Sequence, residues 1–138
     1  MPSHVSWFQN SPNIILVVSE SNLSKEEVLR QFDQILPMLD TVRHPVFICH
    51  DLTQAEQREQ IKIGELTAVA RHPVVTHPNR AFSYFIAPSR RAEIIIDIAA
   101  KIFPNTIQRF KLVRTLDEAL QDIHQKIKQE GAHKDMTP

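Results

Sequence analysis

Four times along the chain an apolar run of strand length gives way to a polar turn and then a helical pattern. The runs lie at Ile14–Val18, residues 46–49, residues 82–87 and Phe110–Val113. Strands alternating with helices predict an α/β domain on a mostly parallel sheet, because each parallel connection needs a crossover, usually a helix. Such a sheet also restricts where a site can lie. Ligands of open α/β sheets bind beyond the carboxyl ends of the strands. The fold class alone supplies no function.

The details of each segment sharpen this outline. Val5-Ser6-Trp7 alternates, and the turn cluster Asn10-Ser11-Pro12-Asn13 separates it from Ile14–Val18. That link is too short for a crossover, so the two strands should form an antiparallel hairpin. Ser24-x-x-Glu27 is a capping box. Val28, Phe32, Ile35 and Leu39 then fall on one helical face. Pro37 either ends the helix near Leu36 or kinks it on the way to Leu39, and the kink is favoured because Met38 and Leu39 extend the apolar face. Residues 46–49 are continuously apolar, which predicts a strand buried on both sides. Residues 54–60 are polar and read as an exposed loop or the start of a helix. A helix follows over 61–71, with a thin apolar face of Ile61, Leu66 and Ala68. Residues 72–79, with two prolines and two histidines, read as loop.

Pro88-Ser89 ends the next strand and opens a helix over 90–103, with Ile95, Ala99, Ile102 and Phe103 facing inward. A last strand is expected over 107–113. Thr115-x-x-Glu118 is a second capping box, and Leu116, Leu120, Ile123 and Ile127 line the final helix. Gly131 fits the position just past a helix end. The predicted order is ββαβαβαβα: a mixed sheet of five strands with four helices. One domain covers residues 1–130, and 131–138 form a flexible tail.

Composition limits the function classes. A chain of 138 residues is one domain of ordinary size, long enough to bury a core. Sixteen basic and sixteen acidic residues cancel, so no global field attracts nucleic acid or anionic lipid. Residues 1–10 lack the basic and apolar regions of a signal peptide. The apolar runs fall far short of the ~20 residues needed to span a bilayer. A lone cysteine, Cys49, fits a reducing compartment, and a cytoplasmic location is expected.

Chemical candidates gather at the strand ends. The rim should collect Ser19, Glu20, His50, Asp51, Thr53, Ser89, Arg90, Arg91, Arg114 and Thr115. Ser89 opens a helix whose free N–H groups favour anions, and Arg90 and Arg91 add positive charge. The alternative is that Ser89 and Thr115 are simple caps and the arginines are solvated. No glycine-rich loop cradles a phosphate. His50 and Asp51 are adjacent on a strand and point to opposite faces, which disfavours a catalytic pair and makes Asp51 a turn or cap residue. Cys49 sits in an apolar strand and reads as an inert buried thiol. Seven histidines include three His-Pro pairs, which read as loop punctuation rather than metal ligands. No cofactor and no metal are expected.

The topology and its joints resemble the STAS family, the sulfate-transporter and anti-sigma-factor-antagonist domains. Within it the chain is most like an uncharacterised bacterial branch, sometimes grouped with Sec14-like lipid-binding domains. The residues that carry the resemblance are Val5-Ser6-Trp7-Phe8, Pro45-Val46-Phe47-Ile48 with Asp51-Leu52-Thr53, and Val113-Arg114-Thr115-Leu116-Asp117-Glu118-Ala119. The resemblance implies a non-enzymatic regulatory or protein-binding module whose partner docks near residues 51–60. Family members that are phosphorylated carry Asp-Ser-Ser-Gly a few residues after the matching strand. Here residues 54–65 contain no serine or threonine, so the phospho-switch does not carry over. Thr53 is the nearest hydroxyl.

Two other readings stand beside the adaptor. A Sec14-like domain would bind a small apolar or anionic ligand, with Ile94, Ile95, Ile96, Ile98 and Ile102 forming either a gate or core. Exposure of Ile94 or Ile98 would favour a partner surface over a lipid cavity. An enzyme would use Arg90, Arg91 and Asp51 on the rim. Self-association through the uncovered first strand is the remaining partner expectation.

Overall fold

The first hairpin forms as its short turn requires. β1 (His4–Trp7) runs antiparallel to β2 (Ile14–Val18), with Trp7 opposite Ile15 and His4 opposite Val18. Between them the chain makes a 3-10 turn at Phe8–Asn10, where Gln9 takes a left-handed φ of 48°. The structure is a computed structural model that describes residues 4–20, 24–54, 63–86, 90, 94, 97, 101 and 109–135.

Three further strands extend the sheet in sequence order. β3 (Val46–Asp51), β4 (Arg80–Ile86) and β5 (Phe110–Val113) all pair in parallel, giving β1-β2-β3-β4-β5. The mixed five-stranded α/β sheet is the expected one. β4 starts at Arg80, two residues before the apolar run that announces it. At its start Val46 faces Arg80 while Phe47 faces Phe82, so Ala81 is an extra residue on β4. A bulge of this kind re-aims a side chain. Here Arg80 turns to the same face as Ser83, and the two are hydrogen-bonded at 3.1 Å.

The helices follow their caps. α1 (Lys25–Asp40) starts at Ser24, whose hydroxyl accepts the Glu27 N–H at 3.2 Å. It passes through Pro37, which cannot donate to the Asp33 carbonyl, and still buries Leu39. α2 is short, Leu66–Ala70, and follows a 3-10 turn at Ile63–Glu65. Of the expected apolar face Leu66 is buried, but Ala68 is exposed. Ile61 lies outside the described residues.

α3 (Leu116–Asp135) continues through Gly131. Gly131 therefore does not terminate it, a correction to the sequence reading. Glycine in a helix interior costs only about 1 kcal/mol, so its presence is a weak stop signal. Of the helix expected over 90–103, only Arg90, Ile94, Asp97 and Lys101 are described, and each is helical. Ile95, Ala99, Ile102 and Phe103 lie outside the described residues, as do residues 107–108 of the expected last strand.

Core residues divide between the two sheet faces by strand alternation. On the first face Ile15, Val17, Val46 and Ile48 pack against Phe32, Ile35 and Leu39 of α1 and against Val74 and Val75 of the loop after α2. On the second face Ile14, Phe47, Cys49, Tyr84, Ile86 and Val113 pack against Ala119 and Ile123 of α3. Burial of β3 on both sides explains its unbroken apolar run.

Candidate functional site

The carboxyl ends of the four parallel strands align in one row. Val18 faces Asp51, Asp51 faces Ile86, and Ile86 faces Val113. The chain leaves this row as a rim of polar residues. Ser19 N–H donates to the Asp51 carbonyl, and Leu52 N–H donates to the Ile86 carbonyl. These two bonds carry the ladder one step past the strands.

Asp51 and Thr53 form a tight turn on the rim. Asp51 Oδ1 accepts the Thr53 N–H at 3.0 Å and the Thr53 hydroxyl at 2.6 Å. An aspartate bonding the backbone two residues on is an Asx turn, which ends the strand without glycine. Thr53 is exposed. At the far side Thr115 caps α3 by accepting the Glu118 N–H at 3.1 Å. The Glu118 carboxylate returns to the Arg114 N–H at 3.1 Å, one residue before the cap. Glu20 lies 3.9 Å from the His4 ring.

Below the rim the first face holds a buried polar layer. Ser19 is buried and accepts the Gln31 amide at 2.8 Å. His50 is buried and stacks on Phe85, with ring centroids 4.8 Å apart. Burial, with a smaller contribution from the Arg80 charge, holds the His50 pKa down to about 3. Its ring is therefore neutral, a weak base closed off from solvent. On the second face Cys49 is equally closed. Burial, aided by the Asp51 charge, pushes its thiol up to about 12.

Arg80 is 2% exposed, yet its hydrogen-bond partners among the described residues are carbonyls and a hydroxyl rather than a carboxylate. Nε and Nη2 donate to the Val75 carbonyl at 3.0 and 2.8 Å, and Nη1 donates to Ser83 Oγ and to the Arg109 carbonyl at 3.1 and 3.2 Å. The guanidinium also lies over the Phe110 ring at 4.6 Å. Burial and the neighbouring Arg109 charge lower its pKa to about 10, which leaves it charged at neutral pH. The second face carries a caged carboxylate. Asp122 accepts from Tyr84 at 2.5 Å, Lys126 at 3.1 Å and Lys111 at 3.3 Å. Burial works against ionisation of Asp122, but these hydrogen bonds hold its carboxyl below the usual range. Burial and the bond to Asp122 raise the Tyr84 phenol well above its ordinary value.

Among solved structures the chain is similar to an uncharacterized protein from the DUF3478 family with a SpoIIAA-like fold, from Shewanella loihica PV-4. The two share 12% identity with a TM-score of 0.56, over 86% of this chain and 90% of that one. The fold is SpoIIAA-like. No family model and no curated protein matches the chain.

In this SpoIIAA-like frame the residues singled out by sequence separate. Asp51 and Thr53 come together on the rim, and Arg90 is exposed at a helical position. Ser89 and Arg91 lie outside the described residues. His50 and Asp51 point to opposite faces and do not pair. Ile94 is 49% exposed, and Ile98 lies outside the described residues. Among the described residues no group of three or more His, Cys, Asp or Glu could hold a metal ion, and no helix is long and apolar enough to cross a membrane. Sequence reasoning missed Arg80, Ser83, Gln31 and the pairs His72–Asp33 and His77–Asp40. The signal for Gln31 was its place beside Phe32 on the inner face of α1. The two histidine–aspartate pairs join distant segments, and Arg80 is turned toward Ser83 by a bulge that the residue pattern does not announce.

Proposed function

We propose that this chain is a non-enzymatic regulatory module that binds a protein partner through the strand-end rim, with Asp51, Thr53 and Arg90 in the contact; Ser89 and Arg91, also expected there from the sequence, lie outside the described residues. The observation that carries the reading is the exposed Asp51–Thr53 turn at the end of central β3. It presents a carboxylate and a hydroxyl on a rigid scaffold, while the strand-borne groups best suited to catalysis, His50 and Cys49, are buried and held in unreactive forms. The SpoIIAA-like fold supports a STAS-type module in general terms. The solvent-exposed Ile94 favours a partner surface over a lipid cavity.

Native mass spectrometry on protein purified gently from its own host tests this. A stable complex with another protein, retained by the wild type and lost in Asp51→Ala and Thr53→Ala, is the expected result. A retained lipid or small molecule on a chain without a protein partner would sink the adaptor reading and favour the Sec14-like one.

A further inference from the structure

His72 and His77 fasten the loop after α2 to α1 by the same construction used twice. Each precedes a proline, and each ring Nδ1 accepts the backbone N–H two residues on. Val74 N–H donates to His72 at 3.1 Å, and Asn79 N–H donates to His77 at 3.0 Å. Each Nε2 meets a carboxylate of α1: Asp33 at 2.8 Å from His72 and Asp40 at 2.7 Å from His77. A backbone N–H can only donate, so Nδ1 must keep its lone pair and the ring proton must sit on Nε2. The same tautomer suits the carboxylates. Both nitrogens of each ring are thus engaged.

The two turns enclose structure that the core needs. Val74 and Val75, between the histidines, are buried in the first-face core. The Val75 carbonyl receives two bonds from Arg80. Asn79, held by the second turn, donates its amide to the carbonyls of Leu39 and Val42 at 3.0 and 2.9 Å. Both rings are largely buried while Asp33 and Asp40 are open to solvent.

We propose that residues 71–79 form an acid-released clasp, in which a proton taken from water onto Nδ1 of His72 or His77 removes the acceptor for the turn N–H. The charged ring then carries N–H at both positions. Its Nε2–H bond to the α1 carboxylate becomes charge-assisted and strengthens, while Nδ1–H confronts the backbone N–H and the turn opens. The ring stays with α1 and the backbone lets go. From α1 the charges facing the clasp are Asp33 and Asp40. From β4 it is Arg80, bonded to the Val75 carbonyl between the two turns. Arg71 belongs to the clasp itself. The Phe32 ring stands edge-on to His72 at 5.3 Å, with His50 on its other side. Imidazole is the side chain whose ordinary titration falls between pH 5 and 8, and that is the range the test spans.

Amide hydrogen exchange on the full chain, read residue by residue and corrected for intrinsic rates, tests the clasp. Between about pH 7.5 and about pH 5 the protection of the Val74 and Asn79 amides should fall about tenfold more than that of Ile48 in β3, the worth of one lost hydrogen bond. His72→Asn and His77→Asn keep an oxygen that can accept the same N–H, as Asp51 does for Thr53, but cannot titrate in this range. Each should abolish the extra fall at its own turn alone. Protection at Val74 and Asn79 that tracks Ile48 at every pH overturns the proposal, as does an extra fall that survives the asparagine variant. Imidazole nitrogen chemical shifts of the wild type read the tautomer without any substitution. Nε2–H at both rings in mild alkali is required, and Nδ1–H at either ring overturns the clasp.

Discussion

His50 and Phe85 occupy paired positions on β3 and β4, and their rings stack with planes 12° apart. The stack does not end there. Phe85 stacks on Phe110 at 5.3 Å, and Phe110 lies under the Arg80 guanidinium. On the other side Phe32 links His50 to His72. A row of rings thus crosses the first sheet face from α1 to β5, with an imidazole at its centre and a charged guanidinium at its edge. It turns a polar residue in the central strand into a core residue, but only in its neutral form.

That neutrality sets a pH dependence for stability. The His50 pKa falls from an ordinary 6.5 in the unfolded chain to about 3 in the fold. Above 6.5 both states are neutral and His50 contributes no slope. As pH falls below 6.5 the unfolded chain takes up a proton that the folded chain refuses. Stability then declines by roughly 1.4 kcal/mol per pH unit from this group, until the folded ring protonates near 3. Urea midpoints measured against pH in the wild type and in His50→Phe isolate the contribution. The variant should show the shallower acid decline, and equal slopes would contradict the assignment.

Arg80 should matter more than its surface visibility suggests. Arg80→Met keeps the stem but strips donors from the Val75 and Arg109 carbonyls and from Ser83. Orphaned buried acceptors cost about 1–3 kcal/mol each, offset in part by no longer burying a charge. A net loss of roughly 3 kcal/mol is expected in denaturant titration. Arg80→Lys should recover only part of it, because one ammonium cannot reproduce the forked contacts. A change in stability below about 0.5 kcal/mol for Arg80→Met would mean that the guanidinium is not the tie described.

Cys49 should report global unfolding and nothing else. It is fully buried with a pKa pushed up to about 12, so neither access nor thiolate is provided in the folded chain. Reaction with a thiol reagent under native conditions should run at least about a hundredfold slower than in the denatured chain and rise with denaturant as the global equilibrium does. Fast labelling in native buffer would expose a local opening at β3.

The rim was partly legible before any coordinates. Asp51 as a strand-end turn residue follows from its position after an apolar run and its habit of bonding two residues on. The opposite orientation of His50 follows from strand alternation. The clustered rings, by contrast, could not be read. Phe32, His50, Phe85 and Phe110 belong to four elements, and nothing local distinguishes a phenylalanine that stacks on histidine from one that packs on isoleucine. The His-Pro pairs were visible as punctuation, but their partners Asp33 and Asp40 lie 39 and 37 residues away.

Sequence alone determined the strands, the two capped helices and the hairpin, because those depend on contacts within a few residues: alternation, capping hydroxyls and turn chemistry. Ile14–Val18 and the Ser24 cap are where those rules place them. Only the tertiary structure decided that Arg80 is buried, since the inserted Ala81 on β4 reverses the face on which it lies. It also decided that His50 is neutral and that His72 and His77 each reach a carboxylate of α1. Protonation and charge respond to the local dielectric and to the donors that happen to face a group. Those are supplied by distant segments brought together on one sheet face.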